Sequence, residues 1–544
     1  MSAVISYKSI AVIGAGHVGV PHATMISTKC PGVRVTIVDD DARKIAEWKS
    51  SLLPFYEPSL QEAIEEVRGT NLFFTTDMKA AISQADLIFV SVSTPIKKDG
   101  VGAGYAPDLQ HWERIARLIA ASTQTPKTIV ERSTVPVHTA DLMAAVLMAN
   151  SGGQQWTVLS NPEFAREGTA MVDQASPERV MLGAPPTEAG IAAVEALKKM
   201  YNTWIPESKI ITSGLWSAEL SKMTANAFLA QRISSINAIS ALCEKTGADV
   251  EEVSYAIGVD SRIGKKCLEA SIGFGGACYE THLRNLIYIS RHYRLKEVAN
   301  YWESVLKMNN YQKRRFAMQV VSAMFNTVSG KKLAIFGFAY KKNTSDIRDT
   351  PAVDICRALL AEKAQLSLHD PRVAEKAIRI ALTNEASGSA NYIDIESDPY
   401  IAANGAHAIL ILTEWDQFCM ERLDYEKMYA TMQQPAFVFD GRNLLDHDKL
   451  REIGFTVFGI GKACPPLEVD EVAAALEQQA ANARVLAGAA KPKVELSRSG
   501  SDMDNLSAEH AREFLSEMVG QPPPKSPEAE PLTLERKDTF GGMA

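Results

Sequence analysis

Short apolar runs alternate with helical patterns along the N-terminal part of the chain. The runs are rich in β-branched residues, and turn residues or aspartate follow most of them. Runs of this kind are typical of strands that are buried on both faces of a parallel sheet. They are Ile10–Ile13, Val33–Val38, Leu87–Val92 and Thr128–Val130. Strands that alternate with helices predict a doubly wound α/β domain.

The pattern changes near residue 215. Trp216 to Thr246 is a long, alanine-rich segment without glycine, and Gly247 follows where helices commonly end. This segment predicts a long helix that connects two domains. The strand pattern then returns in the runs Leu333–Phe336, Leu366–Leu368, Ala408–Leu412 and Phe437–Phe439. These runs predict a second α/β domain that ends near Ile460.

The predicted fold is therefore α/β, with two Rossmann-like doubly wound domains joined by a long central helix and a helical region. We expect the N-terminal domain at 1–212, the helical domain at 213–328 and the C-terminal domain at 329–466. Few large apolar residues remain after Cys464. The tail, 467–544, is therefore expected to be largely disordered, apart from helical patterns at 469–485 and 507–519.

Composition narrows the classes of function. The 544 residues are 46% hydrophobic and 22% charged, and 57 basic against 65 acidic side chains give a net charge of −8. This balance argues against a nucleic acid or an anionic membrane as the main partner. We find no signal-peptide pattern and no apolar stretch of about 20 residues. Seven cysteines without C-x-x-C spacing favour a reducing, cytoplasmic location and argue against a zinc site.

The first predicted strand runs into the motif Gly14-Ala-Gly16-His-Val-Gly19. Glycines at this spacing allow a tight turn and the close approach of a pyrophosphate to a helix N-terminus. Asp39 follows at the end of the next strand, where an acid accepts hydrogen bonds from ribose hydroxyls. Strand, glycines, helix and acid together predict dinucleotide binding. Asp39 without an arginine directly after it favours NAD over NADP, although Lys44 lies nearby.

A second glycine-rich loop, Gly273-Phe-Gly-Gly-Ala-Cys278, ends in a cysteine. Such a loop allows backbone amides to converge on a ligand, and it can open a helix whose N-terminus lowers the pKa of a thiol. The loop is therefore a candidate for nucleophilic catalysis. Spacing alone leaves the other interpretation open, because most cysteines are small buried core residues.

Over about residues 8 to 462 the chain resembles the UDP-glucose/GDP-mannose dehydrogenase family, and within it the UDP-glucose 6-dehydrogenases. The segments that carry the resemblance occur in the order found in the family. They are Gly14–Gly19, Ser91–Pro95, Glu131–Pro136, Ser160–Phe164, Glu167–Ala170, Leu220–Phe228, Gln231–Asn237, Gly273–Cys278 and Asp440–Arg442.

The resemblance implies an NAD-dependent oxidation of a UDP-sugar C6 alcohol to a carboxylate, in two hydride transfers. It assigns the first domain to NAD and the third to the UDP-sugar. Cys278 would be the nucleophile, forming a thiohemiacetal and then a thioester. Lys222 would stabilise developing oxyanions, with Asn226, four residues later on the same helix face, as a polar partner. Glu163 would act in proton transfer or thioester hydrolysis, and Thr134 would hold a water or the reacting oxygen.

The resemblance also implies the binding residues. The expected cofactor contacts are Gly14, Gly16, His17, Val18, Gly19, Asp39, Lys44, Ser93, Thr94, Ser133, Thr134, Glu167 and Arg348. The expected substrate contacts are Glu163, Phe164, Arg166, Glu167, Lys222, Asn226, Arg262, Phe274, Gly275, Tyr340, Lys341 and Arg442. Arg262 would reach the site of a neighbouring subunit. With the long central helix, it favours a homo-oligomer in which the helical domain forms the dimer.

The chain departs from the family just after the cysteine. The family usually has lysine and then aspartate where this chain has Thr281 and His282. The aspartate is a general base, so His282 is the candidate for its role, and histidine can serve as a base near neutral pH. A metal site at Cys278 and His282 is disfavoured, because no third ligand is apparent.

Three functions therefore remain open. The first is NAD-dependent oxidation of UDP-glucose to UDP-glucuronate. The second is a related dehydrogenase with another sugar preference, because Arg166 and Glu269 differ from the usual family residues. The third is a weakly active protein that binds NAD and UDP-sugar, because His282 replaces the expected aspartate.

Overall fold

The computed structural model describes residues 7–123, 125–383 and 389–463. The predicted tail and its two helical patterns lie outside the described residues, as does Cys464. Among the described residues, no helix is both long and apolar enough to cross a membrane.

The N-terminal part contains an eight-stranded sheet with the order β3-β2-β1-β4-β5-β6-β7-β8. Its strands are β1 (Ser9–Ile13), β2 (Arg34–Val38), β3 (Leu72–Thr75), β4 (Leu87–Val90), β5 (Thr128–Glu131), β6 (Thr157–Ser160), β7 (Val180–Ala184) and β8 (Ile210–Gly214). Its helices are α1 (Gly19–Lys29), α2 (Ala42–Lys49), α3 (Leu60–Val67), α4 (Met78–Gln84), α5 (Gln110–Ser122), α6 (Thr139–Asn150), α7 (Ala170–Ala175) and α8 (Glu188–Tyr201).

The neighbouring strands of this sheet are parallel from β3 to β6, and only the pair β6–β7 is antiparallel. Helices cover both faces, so β1 and β4 are buried over nearly their whole length. The predicted runs of apolar residues therefore became buried parallel strands. The order reverses at β1 and β4, and ligands bind at such a switch point, beside the carboxyl ends of the strands.

Four helices make up the central part of the chain. They are α9 (Leu215–Thr246), α10 (Val250–Gly258), α11 (Ala277–His292) and α12 (Lys296–Ala323). Helix α9 has 32 residues and is followed by Gly247, whose φ of +81° strongly favours glycine. The long helix predicted from the sequence is confirmed, including its last residue. Helices α9, α11 and α12 pack against one another around Leu283, Ile287 and Leu306.

The C-terminal part is a second doubly wound sheet with the order β11-β10-β9-β12-β13-β14. Its strands are β9 (Lys332–Phe336), β10 (Gln365–His369), β11 (Ile393–Ile395), β12 (Ala408–Ile411), β13 (Phe437–Asp440) and β14 (Thr456–Gly459), all of them parallel. Its helices are α13 (Pro351–Ala361), α14 (Glu375–Leu382), α15 (Pro399–Ala403), α16 (Tyr425–Tyr429) and α17 (His447–Ile453). Short 3₁₀ helices occupy Glu207–Lys209, Ser389–Tyr392 and Asp416–Phe418.

Candidate active site

The glycine motif forms the turn between β1 and α1. Gly14 has a φ of +108°, and a Cβ there would collide with the backbone carbonyl of Ser91. A Cβ at Gly19 would collide with the carbonyl oxygen of Gly14. Gly16 differs, because nothing lies within 4 Å of the place where its Cβ would be. The turn is therefore packed against the sheet at Gly14 and Gly19 and has free space beside Gly16. Helix α1 begins just after Val18, so its first backbone amides lie next to this turn.

Asp39 lies at the carboxyl end of β2 and is 8% exposed. One oxygen, Oδ2, accepts hydrogen bonds from the amide of Ala15 at 2.9 Å and from Nζ of Lys44 at 3.0 Å. The other oxygen accepts the amide of Asp41 at 3.0 Å. Burial raises the pKa of Asp39, but these hydrogen bonds outweigh it and the pKa is lowered. A carboxylate has about four lone-pair sites, so Asp39 can still accept a hydroxyl.

His17 of the glycine turn stacks on Phe55, with the two ring centroids 3.7 Å apart. Burial, and then the positive charge of Arg348, lower the pKa of His17 to about 4. The imidazole is therefore neutral at physiological pH. The effect of Arg348 on His17 shows that the segment after β9 lies beside the glycine turn.

The loops after β4 and β5 lie side by side at the same sheet edge. The Thr94 hydroxyl donates to the carbonyl of Thr134 at 2.9 Å, and the Ser133 hydroxyl donates to the carbonyl of Val92 at 2.6 Å. Ser93 lies between these contacts. The adjoining turn, with its open face at Gly16 and its acid at Asp39, has the shape and donors that a dinucleotide needs. The described residues therefore fit NAD.

Cys278 is the second residue of α11, directly after the predicted glycine loop. Gly276 has a φ of +84°, and a Cβ on it would lie 2.8 Å from the Tyr340 ring. A Cβ on Gly275 would lie 2.6 Å from the carbonyl oxygen of Asp349. The glycines thus allow the loop to pack closely against the segment that follows β9, and the thiol remains exposed in the cleft.

The loop before Cys278 is held from behind by side chains of two helices. The Asn309 amide on α12 accepts the N–H of Phe274 at 2.9 Å and donates to the carbonyl of Phe274 at 3.0 Å. Gln312, one turn later, donates to the carbonyl of Ser271 at 2.7 Å. Asn237 on α9 accepts the amide of Ser271 at 2.9 Å. Phe274 itself packs edge-on against Tyr279.

The electrostatic surroundings of the thiol are mixed. Although the residue is exposed at the surface, the protein atoms around the thiol desolvate it and raise the pKa of Cys278, and Glu167 and Asp346 act in the same direction. Lys222 and Arg348 lower it, but they do not reverse the shift. The loop does open a helix, which the sequence allowed for. The N-terminus of that helix could have lowered the thiol pKa, but the pKa is raised, because desolvation by neighbouring atoms outweighs the cations.

Lys222 and Asn226 project from one face of α9, and both are buried. Lys222 is 8% exposed, and its Nζ lies 5.1 Å from the centroid of the Phe164 ring. Burial lowers the pKa of Lys222, whereas the neighbouring Cys278 and Glu163 raise it. Buried ammonium groups of this kind act on charge that develops close to them, because the surrounding dielectric is low.

His282 lies on α11 one turn after Cys278, on the same face of the helix, and is 5% exposed. Its Nδ1 lies 2.8 Å from Nδ2 of Asn226. Burial, and then the charge of Lys222, lower the pKa of His282 to about 3. A side chain with this pKa is a weak base at neutral pH.

Glu163 follows β6 and is held by three donors. Its Oε2 is paired with Nη2 of Arg132 at 2.5 Å and also accepts the side-chain amide of Gln174. Its Oε1 accepts the backbone amide of Ala165 at 2.7 Å. Arg132 is fixed in turn by the carbonyl and side-chain oxygens of Asn161. Glu163 is therefore a positioned carboxylate with little freedom of rotation.

Glu167 connects the two sheets. Its carboxylate accepts the Tyr340 hydroxyl at 3.3 Å and Nη2 of Arg348 at 3.0 Å. Arg348 is also paired with Asp346 at 2.6 Å. Burial and the charge of Asp346 raise the pKa of Glu167 to about 7, although Arg348 opposes the shift.

The remaining expected substrate residues occupy different places. Arg442 donates to the carbonyls of Leu412 and Tyr340, at the carboxyl edge of the second sheet. Lys341 directly follows Tyr340 in the chain. Burial lowers the pKa of Lys341. Arg166 makes a two-pronged contact with Asp173.

Arg262 lies apart from these residues, 88% exposed on the turn after α10. Its side chain pairs with Asp260. The single chain therefore does not bring Arg262 to the cleft, and its expected role in a neighbouring site stays a prediction.

Three sequence models of one family match the chain in the order of its parts. The NAD binding domain of the UDP-glucose/GDP-mannose dehydrogenase family matches residues 8–205, the central domain matches 216–311, and the UDP binding domain matches 334–447. The chain belongs to the UDP-glucose/GDP-mannose dehydrogenase family.

Curated members of this family are similar over most of their length. "UDP-glucose 6-dehydrogenase 3" of Oryza sativa subsp. japonica is 53% identical over 466 residues, which are 83% of this chain and 97% of that protein. "UDP-glucose 6-dehydrogenase 4" of Arabidopsis thaliana is 51% identical over 84% of this chain and 98% of that protein. Among solved structures, a UDP-glucose dehydrogenase from Pyrobaculum islandicum has a TM-score of 0.73 and 29% identity, covering 85% of this chain and 99% of that one.

Sequence reasoning missed several residues that hold the family site together. Arg132 lies within a segment that carried the family resemblance, but its pairing with Glu163 has no local signal. Gln174 lies 11 residues from its partner Glu163, Asn309 lies 35 from Phe274, and Asp346 pairs with Arg348 two residues away. A polar side chain on a largely apolar helix face is the signal that could have found Asn309.

Proposed function

We propose that the chain catalyses the NAD-dependent oxidation of UDP-glucose to UDP-glucuronate, with Cys278 as the nucleophile. The observation that carries the proposal is the proximity of Lys222 to Cys278, with Asn226 in contact with His282 four residues after that cysteine, where the loops of the two doubly wound domains meet. Family membership and curated relatives with this activity, about half identical in sequence, support the substrate and the cofactor.

NAD supplies a hydride acceptor when it is bound. The turn at Gly14 to Gly19 would hold its pyrophosphate, and Asp39 would accept its adenosine ribose hydroxyls. The loops around Ser93, Thr94 and Ser133 lie where the rest of the dinucleotide would extend. The Arg348 side chain would give up its ion pair with Glu167 and form one with the negatively charged cofactor.

The UDP-sugar would lie against the second sheet. Arg442, Lys341 and the glycine loop at 273–276 lie at its carboxyl edge, where fixed cations and backbone amides suit a pyrophosphate. The sugar C6 would then face Cys278. Phe164, between Arg179 and Lys222, would form a wall of the sugar site.

The chemistry of Cys278 accounts for the second oxidation. The thiolate adds to the aldehyde carbon, and the carbonyl oxygen takes up a proton, which gives a thiohemiacetal. Loss of a hydride and a proton gives the thioester. Water adds to the thioester carbonyl and the thiolate leaves, which yields the carboxylate and restores Cys278.

Neighbouring side chains would stabilise these steps. The Lys222 ammonium, buried beside the thiol, would oppose the negative charge that develops on the substrate oxygen. Asn226 would be a polar partner that accepts a hydrogen bond from a substrate hydroxyl or a water, and Thr134 would hold the reacting oxygen or a water. Glu163 would orient the hydrolytic water through lone pairs that Arg132 and Gln174 leave free.

A homo-oligomer accompanies this proposal. Large apolar side chains are exposed on the central helices among the described residues, in particular Trp216, Phe228, Leu242, Tyr255 and Tyr301. Exposed apolar side chains in such numbers are typical of subunit interfaces. Light scattering on the purified protein should give at least twice the mass of the chain, 59.3 kDa, and a monomer would contradict the proposal.

We assign the protein to a reducing compartment, the cytoplasm. The cysteines that the structure describes are all free thiols, and a nucleophilic thiol works only in its reduced form.

The activity is tested by supplying UDP-glucose and NAD⁺ and counting NADH per sugar consumed. Two NADH and one UDP-glucuronate are expected. Cys278→Ser should block completion of the second oxidation, whereas Cys267→Ser, a matched change at a neighbouring cysteine, should not. NADH formed only with another nucleotide sugar, or tight binding of UDP-glucose without NADH, would contradict the proposal.

A further inference from the structure

The hydrogen bond between Asn226 and His282 fixes the proton of the imidazole. The amide nitrogen of Asn226, 2.8 Å from Nδ1, carries only donor hydrogens. Nδ1 must therefore accept, and a neutral imidazole that accepts through Nδ1 carries its hydrogen on Nε2. His282 is a buried residue of α11, so its contact with Asn226 is shielded from water.

We propose that His282 is an uncharged positioning residue, which orients the Asn226 amide and leaves the positive charge of Lys222 to the Cys278 thiolate. The inference rests on the proposed function and deepens it. It assigns His282 a role other than the general base expected from the sequence.

Two consequences follow from the contact. The Asn226 amide is anchored through its nitrogen, so its carbonyl oxygen is turned away from His282 and left for another donor. A substrate hydroxyl or a bound water is a donor of the right kind. The imidazole thus determines that the amide oxygen of Asn226, and not its nitrogen, is available to a ligand.

The second consequence concerns charge. Among the described residues, Lys222 has no carboxylate within ion-pair distance, and its nearest carboxylate influence comes from Glu163, which Arg132 already neutralises. A carboxylate at position 282 would add a negative charge beside Lys222 and the thiol. A neutral imidazole does not, so the Lys222 ammonium stabilises the thiolate with little competition.

Among the described residues, the charged groups with the largest influence on the Cys278 thiol come from three elements. Lys222 projects from α9, Glu167 from the loop after β6, and Asp346 and Arg348 from the loop after β9. Arg348 is paired with both Glu167 and Asp346, so its charge offsets part of theirs. Burial and Lys222 keep the pKa of His282 at about 3, so the imidazole stays uncharged over the working pH range.

The test is the pH dependence of Cys278 alkylation by iodoacetamide, followed on the Cys278 peptide by mass spectrometry. Only the thiolate reacts, so the midpoint reports the thiol pKa. The informative variants are His282→Asn and His282→Asp, which have nearly the same shape and differ in charge. The experiment uses the full chain without substrate, and Cys278→Ser identifies the peptide.

The Asn variant should keep the wild-type midpoint, whereas the Asp variant should raise it by about one pH unit or more. Equal midpoints in the two variants, or an equally large shift in the Asn variant, would overturn the proposal. Because no substrate is present, this result stands whether or not UDP-glucose is the sugar that the protein oxidises.

Turnover separates positioning from base catalysis. His282→Leu removes the acceptor for Asn226 and should lower kcat strongly, with little change in KM for NAD⁺. His282→Asn restores an acceptor and should recover most of that loss. If His282 were the base, both variants would lose about 10²-fold or more, and the acid limb of the pH profile would disappear with them.

Discussion

The Nη2 atom of Arg132 lies 2.5 Å from the Oε2 atom of Glu163, and both side chains are buried. Removal of one partner from a buried ion pair leaves an uncompensated charge, which costs about 3 to 5 kcal/mol. We therefore expect Arg132→Met to destabilise the N-terminal domain by that amount in urea denaturation. It should also weaken turnover, because Glu163 loses its position.

Arg114→Met is the matched control for that variant. Arg114 also pairs with a carboxylate, Asp40 at 2.8 Å, but both side chains are 60% exposed. Exposed pairs contribute about 0 to 1 kcal/mol. An equal loss of stability in the two variants would contradict the burial argument.

The glycine turn predicts opposite effects at two of its positions. Gly16→Ala adds a methyl group to open space on the cofactor side, so it should leave the melting temperature unchanged and raise KM for NAD⁺. Gly14→Ala forces a Cβ into the Ser91 carbonyl at a φ of +108°, so it should lower the melting temperature as well. Calorimetry and NADH kinetics measure both effects. Equal melting temperatures for the two variants would refute this account.

The two hydrogen bonds between Asn309 and the backbone of Phe274 hold the loop before Cys278. We therefore expect a substitution of Asn309 to affect catalysis at Cys278. Asn309→Leu removes both hydrogen bonds to Phe274 and should displace the loop. A misplacement of about 1 Å can lower a rate about 10²-fold, so kcat should fall by that order. Asn310→Ala, at the exposed neighbouring position on α12, should leave kcat unchanged. A similar kcat in the Asn309 and Asn310 variants would show that catalysis does not need the hydrogen bonds of Asn309.

Glu167 predicts a pH dependence of stability. Its pKa rises on folding from 4.5 to about 7, through burial and then Asp346. The folded state therefore holds a proton that the unfolded chain has already released between these values. Its contribution is complete below about pH 4.5 and is lost as the pH rises through about 7.

Glu167→Gln keeps the neutral form at every pH. The variant should gain stability relative to the wild type as the pH rises from 5 to 8, by about 2 to 3 kcal/mol. Melting temperatures measured across this range, with the exposed Glu47→Gln as control, test the sign. A gain that shrinks as the pH rises would contradict the raised pKa.

Local patterns determined much of the fold. Apolar runs bounded by turn residues became parallel strands, because a strand covered on both faces needs apolar residues throughout. Gly247 marked the end of α9, because its φ of +81° excludes most side chains. The two glycine loops likewise predicted a turn before α1 and a cysteine at the start of α11.

Only the tertiary structure decided how the site residues act. Asn226 and His282 are 56 residues apart, and Arg348 and Glu167 are 181 apart, so no local sequence pattern predicts either contact. The sequence indicated His282 as a candidate base and Cys278 as a thiol whose pKa a helix N-terminus can lower. Folding buried the imidazole against Asn226 and Lys222, and it crowded the thiol, so the pKa of each moved in the direction that disfavours charge. Residue identity and spacing are local properties, whereas burial and electrostatic potential are sums over neighbours that folding brings together.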